Sequence, residues 1–210
     1  IPTTAGTGSE VTPYSTIWDD IARKKLSLYG ESVYSNIAII DSELSDSLPK
    51  EGALSTGLDA INQAAESIWN INATPMTLRI GERALWLGFN ALPRVVSGRA
   101  KDGDYDDMAE CSMLAGMAIS QTQTALCHAI SYPLTAHFSV SHGLACAFTM
   151  LAVLKLNMEV DDGRIENLRH VLGCEDVFMA FQDLISKLGV LAEVKKYIGS
   201  INELEALVGE

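Results

Sequence analysis

The stretch TALCHAISYPLTAHFSVSHG, residues 124–143, holds His128, His137 and His142, three of the four histidines in the chain, within an otherwise apolar run. Its spacing predicts one helix carrying His128 and Tyr132, four residues apart, then an SVS turn and a second helix opening at His142. Far upstream, GLDAINQAAESIW at 57–69 reads as another helix. On it Asp59 and Gln63 are also four residues apart, so both project from one face and can converge on a single point.

Asp59, Gln63, His128 and His142 together offer one carboxylate, one amide oxygen and two imidazoles, a mixed set suited to Fe(II) or Zn(II). An Asp–Gln pair at this spacing is ordinarily a solvated face, and a core histidine is ordinarily hydrogen-bonded rather than metal-bound. The context of Asp59 is different, because it sits among Leu58, Ala60, Ile61 and Ala64. A buried charge without a partner costs roughly 3–5 kcal/mol there. A divalent cation would supply that partner.

The chain of 210 residues is 48% hydrophobic, enough for a sizeable core. Residues 1–48 read as β-rich: EVTPYSTIWDD and KKLSLYG alternate as two antiparallel strands, and SNIAIID reads as a short buried strand. From Pro49 onward the period becomes helical, with Ser47 able to cap and Pro49 suited to an early helical position. About seven helices are expected over 49–210, interrupted by polar loops at 97–107 and 158–164. The fold class is therefore mainly α, a short β-rich unit at 1–48 followed by an all-helical unit at 49–210.

A net charge of -12 and a pI near 4.7 argue against nucleic acid or an anionic membrane as partner, since both would repel this surface. Cys111, Cys127, Cys146 and Cys174 are spaced too widely for a CxxC motif and read as reduced thiols of a cytoplasmic protein. No charged-then-apolar leader opens the chain and no apolar run reaches bilayer-spanning length, so neither secretion nor membrane insertion is expected. The opening IPTTAGTGSEV lacks a methionine and reads as a strand entering a loop, so further sequence is expected upstream.

Three ordered motifs, TTAGTGSE, GLDAxxQAxES and HAxSYPLxAHFxxxHG, resemble the iron-containing, or group III, metal-dependent alcohol dehydrogenases from Ile1 to about residue 157. The resemblance implies a dehydroquinate-synthase-like fold, with 49–210 as the helical metal-binding domain and 1–48 as the β-rich end of a nucleotide-binding domain. It implies a metal held by one aspartate and three histidines, which carries over onto Asp59, position 63, His128 and His142. Position 63 is Gln here, a neutral and weaker donor than imidazole. Tyr132 stands where many members carry a further histidine close to the substrate, and it becomes the candidate catalytic residue. His137 has no ligand counterpart and is read as structural.

In the opening loop Gly6 and Gly8 allow tight turns while Thr3 and Thr4 offer hydroxyls, a composition suited to approaching a dinucleotide. Lys25 matches a lysine that lies against the cofactor in relatives. Thr3, Thr4, Gly6 and Lys25 are thus the candidate cofactor-binding residues. The family's GGGS-type pyrophosphate loop does not occur in the sequence, so most of the nucleotide domain, and a short C-terminal helical piece, are expected to lie outside this chain. Binding of NAD(P) by the chain alone is accordingly expected to be weak.

The implied activity is that of an alcohol dehydrogenase or aldehyde reductase using NAD(H) or NADP(H), with the metal acting as Lewis acid on the carbonyl oxygen. The proton would come from Tyr132, from water or from the cofactor ribose. Within the family, ESIWNxNATP, SYPLTAHF and HGLACAFT are most similar to a branch that reduces phosphonoacetaldehyde to 2-hydroxyethylphosphonate. Such a substrate needs cationic donors, for which Arg79 and Arg83 are candidates. Alternatives are reduction of an uncharged short-chain aldehyde such as lactaldehyde, or a non-catalytic helical interaction module that has lost its metal. A small-molecule substrate and a homodimeric assembly are expected.

Overall fold

The computed structural model describes residues 1–19, 21 and 24–208. Two antiparallel strands, β1 (Tyr14–Asp19) and β2 (Lys24–Tyr29), form a hairpin in which Tyr14 pairs with Tyr29 and Trp18 with Lys25. Strand alternation sends Lys25, Ser27 and Tyr29 toward a cleft above the helices. Leu26 and Leu28 face outward and are exposed.

SNIAIID forms no strand. Residues 36–40 run without regular structure, and Ile37 and Ile39 are exposed. Among the described residues no strand lies beside this run, and a strand without a ladder partner leaves its backbone groups to solvent.

The helical part holds α1 (Lys50–Trp69), α2 (Pro75–Val96), α3 (Asp104–Thr122), α4 (Leu126–Phe138) and α5 (His142–Met158). Smaller helices follow: α6 (Arg164–Leu172), α7 (Val177–Lys187), α8 (Val190–Val194) and α9 (Ile201–Val208). That is nine among the described residues, against about seven expected; the glycine-punctuated stretch from Arg164 holds four short ones. Mainly helical architecture with one small sheet is what the sequence pattern predicts.

α1 is the axis of the fold. Every residue from Gly57 to Asn70 is buried, with α2, α3, α4, α5 and α6 packed around it. Leu58, Ile61 and Ile68 are fully buried, each worth about 1.5–3 kcal/mol over an exposed side chain. Pro49, rather than Ser47, stands at the N-cap of α1, and no side chain closes that end. α2 begins with a Thr74–Thr77 capping box and Pro75 at its first turn.

Close helix approach depends on missing side chains. A Cβ on Gly143, in the first turn of α5, would overlap the Ser55 carbonyl oxygen of α1. Gly8 has a left-handed φ of 57° and lies against Gly116 of α3, where an added Cβ would come within 2.6 Å of the Gly116 Cα. That contact seats the opening loop on the helical layer.

Candidate metal centre

Asp59, Gln63 and Glu66 succeed one another on one face of α1, at i, i+4 and i+7. In a helix packed on all sides that face meets protein rather than water: Asp59 and Gln63 are 4% exposed and Glu66 is fully buried. α4 brings His128 against this face, and α5 begins with His142.

Glu66 organises the approach of α4. Its carboxylate accepts hydrogen bonds from the backbone N–H of Ala125 (2.8 Å) and of Cys127, the orphan donors at the start of that helix. It also lies 2.6 Å from His128 Nδ1. Burial pushes the Glu66 carboxyl pKa up, but His128 and the two N–H donors outweigh that and hold it below the usual value. The chain reaches this position through Gln123, whose φ of 67° is rare for a side-chain-bearing residue. Asn70 Nδ2 donates to the Gln123 carbonyl and Asn72 Nδ2 to that of Thr122, both at 3.3 Å, so the turn is held from the end of α1.

These partners fix both imidazoles. A carboxylate at His128 Nδ1 takes its N–H, leaving the Nε2 lone pair toward Asp59 Oδ1 at 3.2 Å. Ser131 Oγ donates its single proton to the His128 carbonyl (2.7 Å), so it accepts from His142 Nδ1 at 3.2 Å. His142 Nε2 is then the free lone pair, 3.8 Å from Asp59 Oδ1. Two imidazole lone pairs and a carboxylate face one another, which is an arrangement of acceptors awaiting a cation or a proton.

Gln63 completes it. Its Oε1 is buried and has no hydrogen-bond partner among the described residues. An orphaned buried acceptor costs about 1–3 kcal/mol. Asp59, His128 and His142 therefore fit a divalent first-row metal, and Gln63, one turn on from Asp59 along α1, offers a further oxygen donor with no other partner among the described residues.

Cys146, one turn after His142 on α5, has its Sγ 3.9 Å from His142 Nε2. One ligating atom each of Asp59, His128, His142 and Cys146 lie within 4.8 Å of one another. Burial pushes the Cys146 thiol pKa up, but His128 and His142 bring it down to about 7. Cys111, buried without such neighbours, is pushed up to about 12. Burial disfavours charge on His128, yet Cys146, Asp59 and Glu66 raise its pKa well above the ordinary histidine value.

The centre forms the floor of a cleft of about 780 Å³ between the helices and the hairpin. Tyr132 lines it with its ring parallel to that of His142, centroids 6.0 Å apart. Lys25 Nζ lies 3.9 Å from the centroid of the Tyr132 ring. Asp59, Gln63, His128, His142, Tyr132 and Lys25 are thus brought together around one space.

Other expected site residues lie elsewhere. Thr3 is exposed, Thr4 borders a separate small cavity beside Pro2 and Ile40, and Gly6 is pressed against Thr56 of α1. From the same loop it is Thr7, Ser9 and Thr12 that line the cleft. His137 is exposed at the end of α4 and takes no place in the core. Arg79 pairs with Glu82 and Arg83 with Glu110, and neither lines the cleft. Glu66, Ser131 and Cys146 escaped the sequence reading, although each sits three or four residues from Gln63, His128 or His142 and so shares its helix face.

Residues 53–208 match the family model for the Fe-containing alcohol dehydrogenase family, C-terminal, and residues 1–42 match that for iron-containing alcohol dehydrogenase. Phosphonoacetaldehyde reductase of Streptomyces viridochromogenes is 42% identical over 164 residues, covering 78% of this chain and 41% of the relative. 1-Propanol dehydrogenase PduQ of Salmonella typhimurium is 38% identical over 160 residues, covering 76% of this chain and 43% of the relative. The chain thus spans under half the length of these two curated relatives. Sulfoacetaldehyde reductase from Bifidobacterium kashiwanohense, solved in complex with NAD+, superposes with a TM-score of 0.84 at 34% identity, covering 90% of this chain and 51% of that one. With a family model matched over most of its length and the same fold in a solved relative, the chain belongs to the iron-containing alcohol dehydrogenase family.

Proposed function

We propose that this chain carries the metal-binding part of an NAD(P)-dependent alcohol dehydrogenase or aldehyde reductase. The observation that carries the reading is the gathering of ligating atoms of Asp59, His128 and His142 within 4.8 Å of one another, on a cleft that Gln63, with its unpartnered Oε1, also lines. Those four residues would hold a divalent metal, which supplies Lewis-acid polarisation of a carbonyl oxygen when bound, while a nicotinamide supplies the hydride. Glu66 and Ser131 hold the two imidazoles in the tautomers that leave Nε2 free. Tyr132 walls the cleft beside His142, where its hydroxyl is the candidate proton source for the alkoxide product. Lys25, among the described residues the cationic group lining the cleft, would attract an anionic cofactor.

The substrate reading is phosphonoacetaldehyde, supported by 42% identity to a reductase of that name. Arg79 and Arg83 are engaged by Glu82 and Glu110, so they are withdrawn as phosphonate donors. Steady-state reduction of phosphonoacetaldehyde, lactaldehyde and propanal by the whole protein, with NADH and with NADPH, tests it. A kcat/KM for phosphonoacetaldehyde well above the other two is expected; a preference for an uncharged aldehyde would overturn the phosphonate reading. No turnover of any aldehyde by metal-loaded protein would overturn the enzymatic one.

A further inference from the structure

We propose that Cys146 is itself a ligand of the metal, a thiolate donor beside Asp59, His128 and His142 that strengthens the preference of the centre for Zn(II) over Fe(II). The inference rests on the metal-binding reading above and adds a donor that the Asp59, Gln63, His128 and His142 set does not include.

Helical spacing supplies the first support. Cys146 follows His142 by four residues, so its Sγ is directed back along α5 onto the face that carries the imidazole. The contact is 3.9 Å from Sγ to Nε2, on the ring nitrogen whose lone pair the Ser131 bond leaves free. A ligating atom from each of Asp59, His128, His142 and Cys146 falls inside a 4.8 Å span, and the side chains come from three different helices. Zn–S and Zn–N bonds of about 2.3 and 2.0–2.1 Å fit donors gathered at this scale.

Unmet donor demand is the second support. Gln63, a residue 4% exposed that lines the same cleft, offers only a neutral amide oxygen, and that oxygen has no hydrogen-bond partner among the described residues. Substituting an amide for an imidazole weakens the set, and a thiolate restores a strong donor. Charge permits the thiolate: Asp59 is the one carboxylate among the gathered ligating atoms, and the Cys146 thiolate would bring the charge on those atoms to two. On binding, the S–H proton leaves to solvent and a sulfur–metal bond forms, with no change of oxidation state.

Softness then sharpens the choice of metal. An N/O set already binds Zn(II) more tightly than Fe(II), and a soft thiolate ligand widens that difference. Phenotypes of activity would not separate these cases, because a loaded enzyme of either kind could turn over.

Anaerobic titration of the protein with Co(II), a spectroscopic stand-in for Zn(II), reads the ligand directly. The expected result is a thiolate-to-cobalt charge-transfer band in the near ultraviolet together with visible d–d bands, the former lost and the latter kept in Cys146→Ser. Visible d–d bands in the unsubstituted protein without a charge-transfer band would overturn Cys146 ligation and leave the metal-binding reading standing. Absence of both, with no cobalt retained, would overturn both readings. Competition between Zn(II) and Fe(II) completes the test: the zinc preference is expected to fall in Cys146→Ser, and an unchanged preference would overturn the proposed selectivity.

Discussion

Gly143 and Ser55 lie so close that a single methyl group between them would overlap the Ser55 carbonyl oxygen. This contact lets the start of α5 reach α1, and it is what sets His142 beside Asp59, one turn from Ser55. Gly143→Ala should therefore push the two helices apart. The expected cost is about 1–3 kcal/mol of stability, typical of overpacking. Urea unfolding measures it, and a parallel zinc titration should show weaker binding. An unchanged midpoint would mean that α5 can shift freely.

Replacing Glu66 by Gln separates positioning from mere packing. A glutamine keeps one accepting oxygen, so its NH2 must face either the Cys127 N–H or the Ala125 N–H and His128 Nδ1; a bond that seats α4 is lost, and Nδ1 loses its anionic partner. Metal affinity should fall on the order of 10–100-fold in protein that remains folded. Zinc titration at a temperature below the unfolding transition of both proteins checks this, and equal affinities would remove Glu66 from the account.

The first of these residues also shows where sequence reasoning stops. That α1, α2 and α5 are helices was legible, since their apolar periods run for several turns and α2 opens on a proline behind a threonine cap. Asp59, Gln63, His128 and His142 are legible as one set from the i, i+4 spacing of Asp59 and Gln63, the apolar neighbours of Asp59 and the family resemblance of the three motifs. Gly143 was not, because its role depends on a helix about 90 residues away in sequence, and no local pattern encodes that approach. SNIAIID was misread for a related reason: strand formation needs a partner, and an apolar run carries no sign of one. Composition points to Thr3 and Thr4 in the opening loop, whereas Thr7, Ser9 and Thr12, around the left-handed Gly8, line the cleft.

Gln63→His should tighten metal binding, because imidazole is the better donor for a late first-row ion. Titration against a competing chelator reads the change. Unchanged affinity would mean that Gln63 Oε1 does not reach the ion.

Away from the centre, Asp104 at the start of α3 accepts from Arg94 Nε at 2.8 Å and from the Lys101 backbone N–H at 2.7 Å. The Arg94 guanidinium and the Lys101 N–H hold its carboxyl below the usual value, against burial that pushes it up. A lowered folded-state pKa contributes stability above the unfolded value of about 3.9, and that contribution disappears as pH falls through the folded one. Asp104→Asn should cost about 1–3 kcal/mol near neutral pH and progressively less on acidification. Urea midpoints of both proteins across that range decide it; a gap that stays constant with pH would contradict the pairing.

The central claim is that Asp59, Gln63, His128 and His142 hold one divalent ion. Isothermal titration of the protein with Zn(II), repeated on Asp59→Ala and His142→Ala variants whose folding is verified by circular dichroism, tests it most directly. One ion bound per chain, with binding at this site lost in both variants, is the predicted result. Stoichiometry and affinity unaltered by either substitution would contradict it.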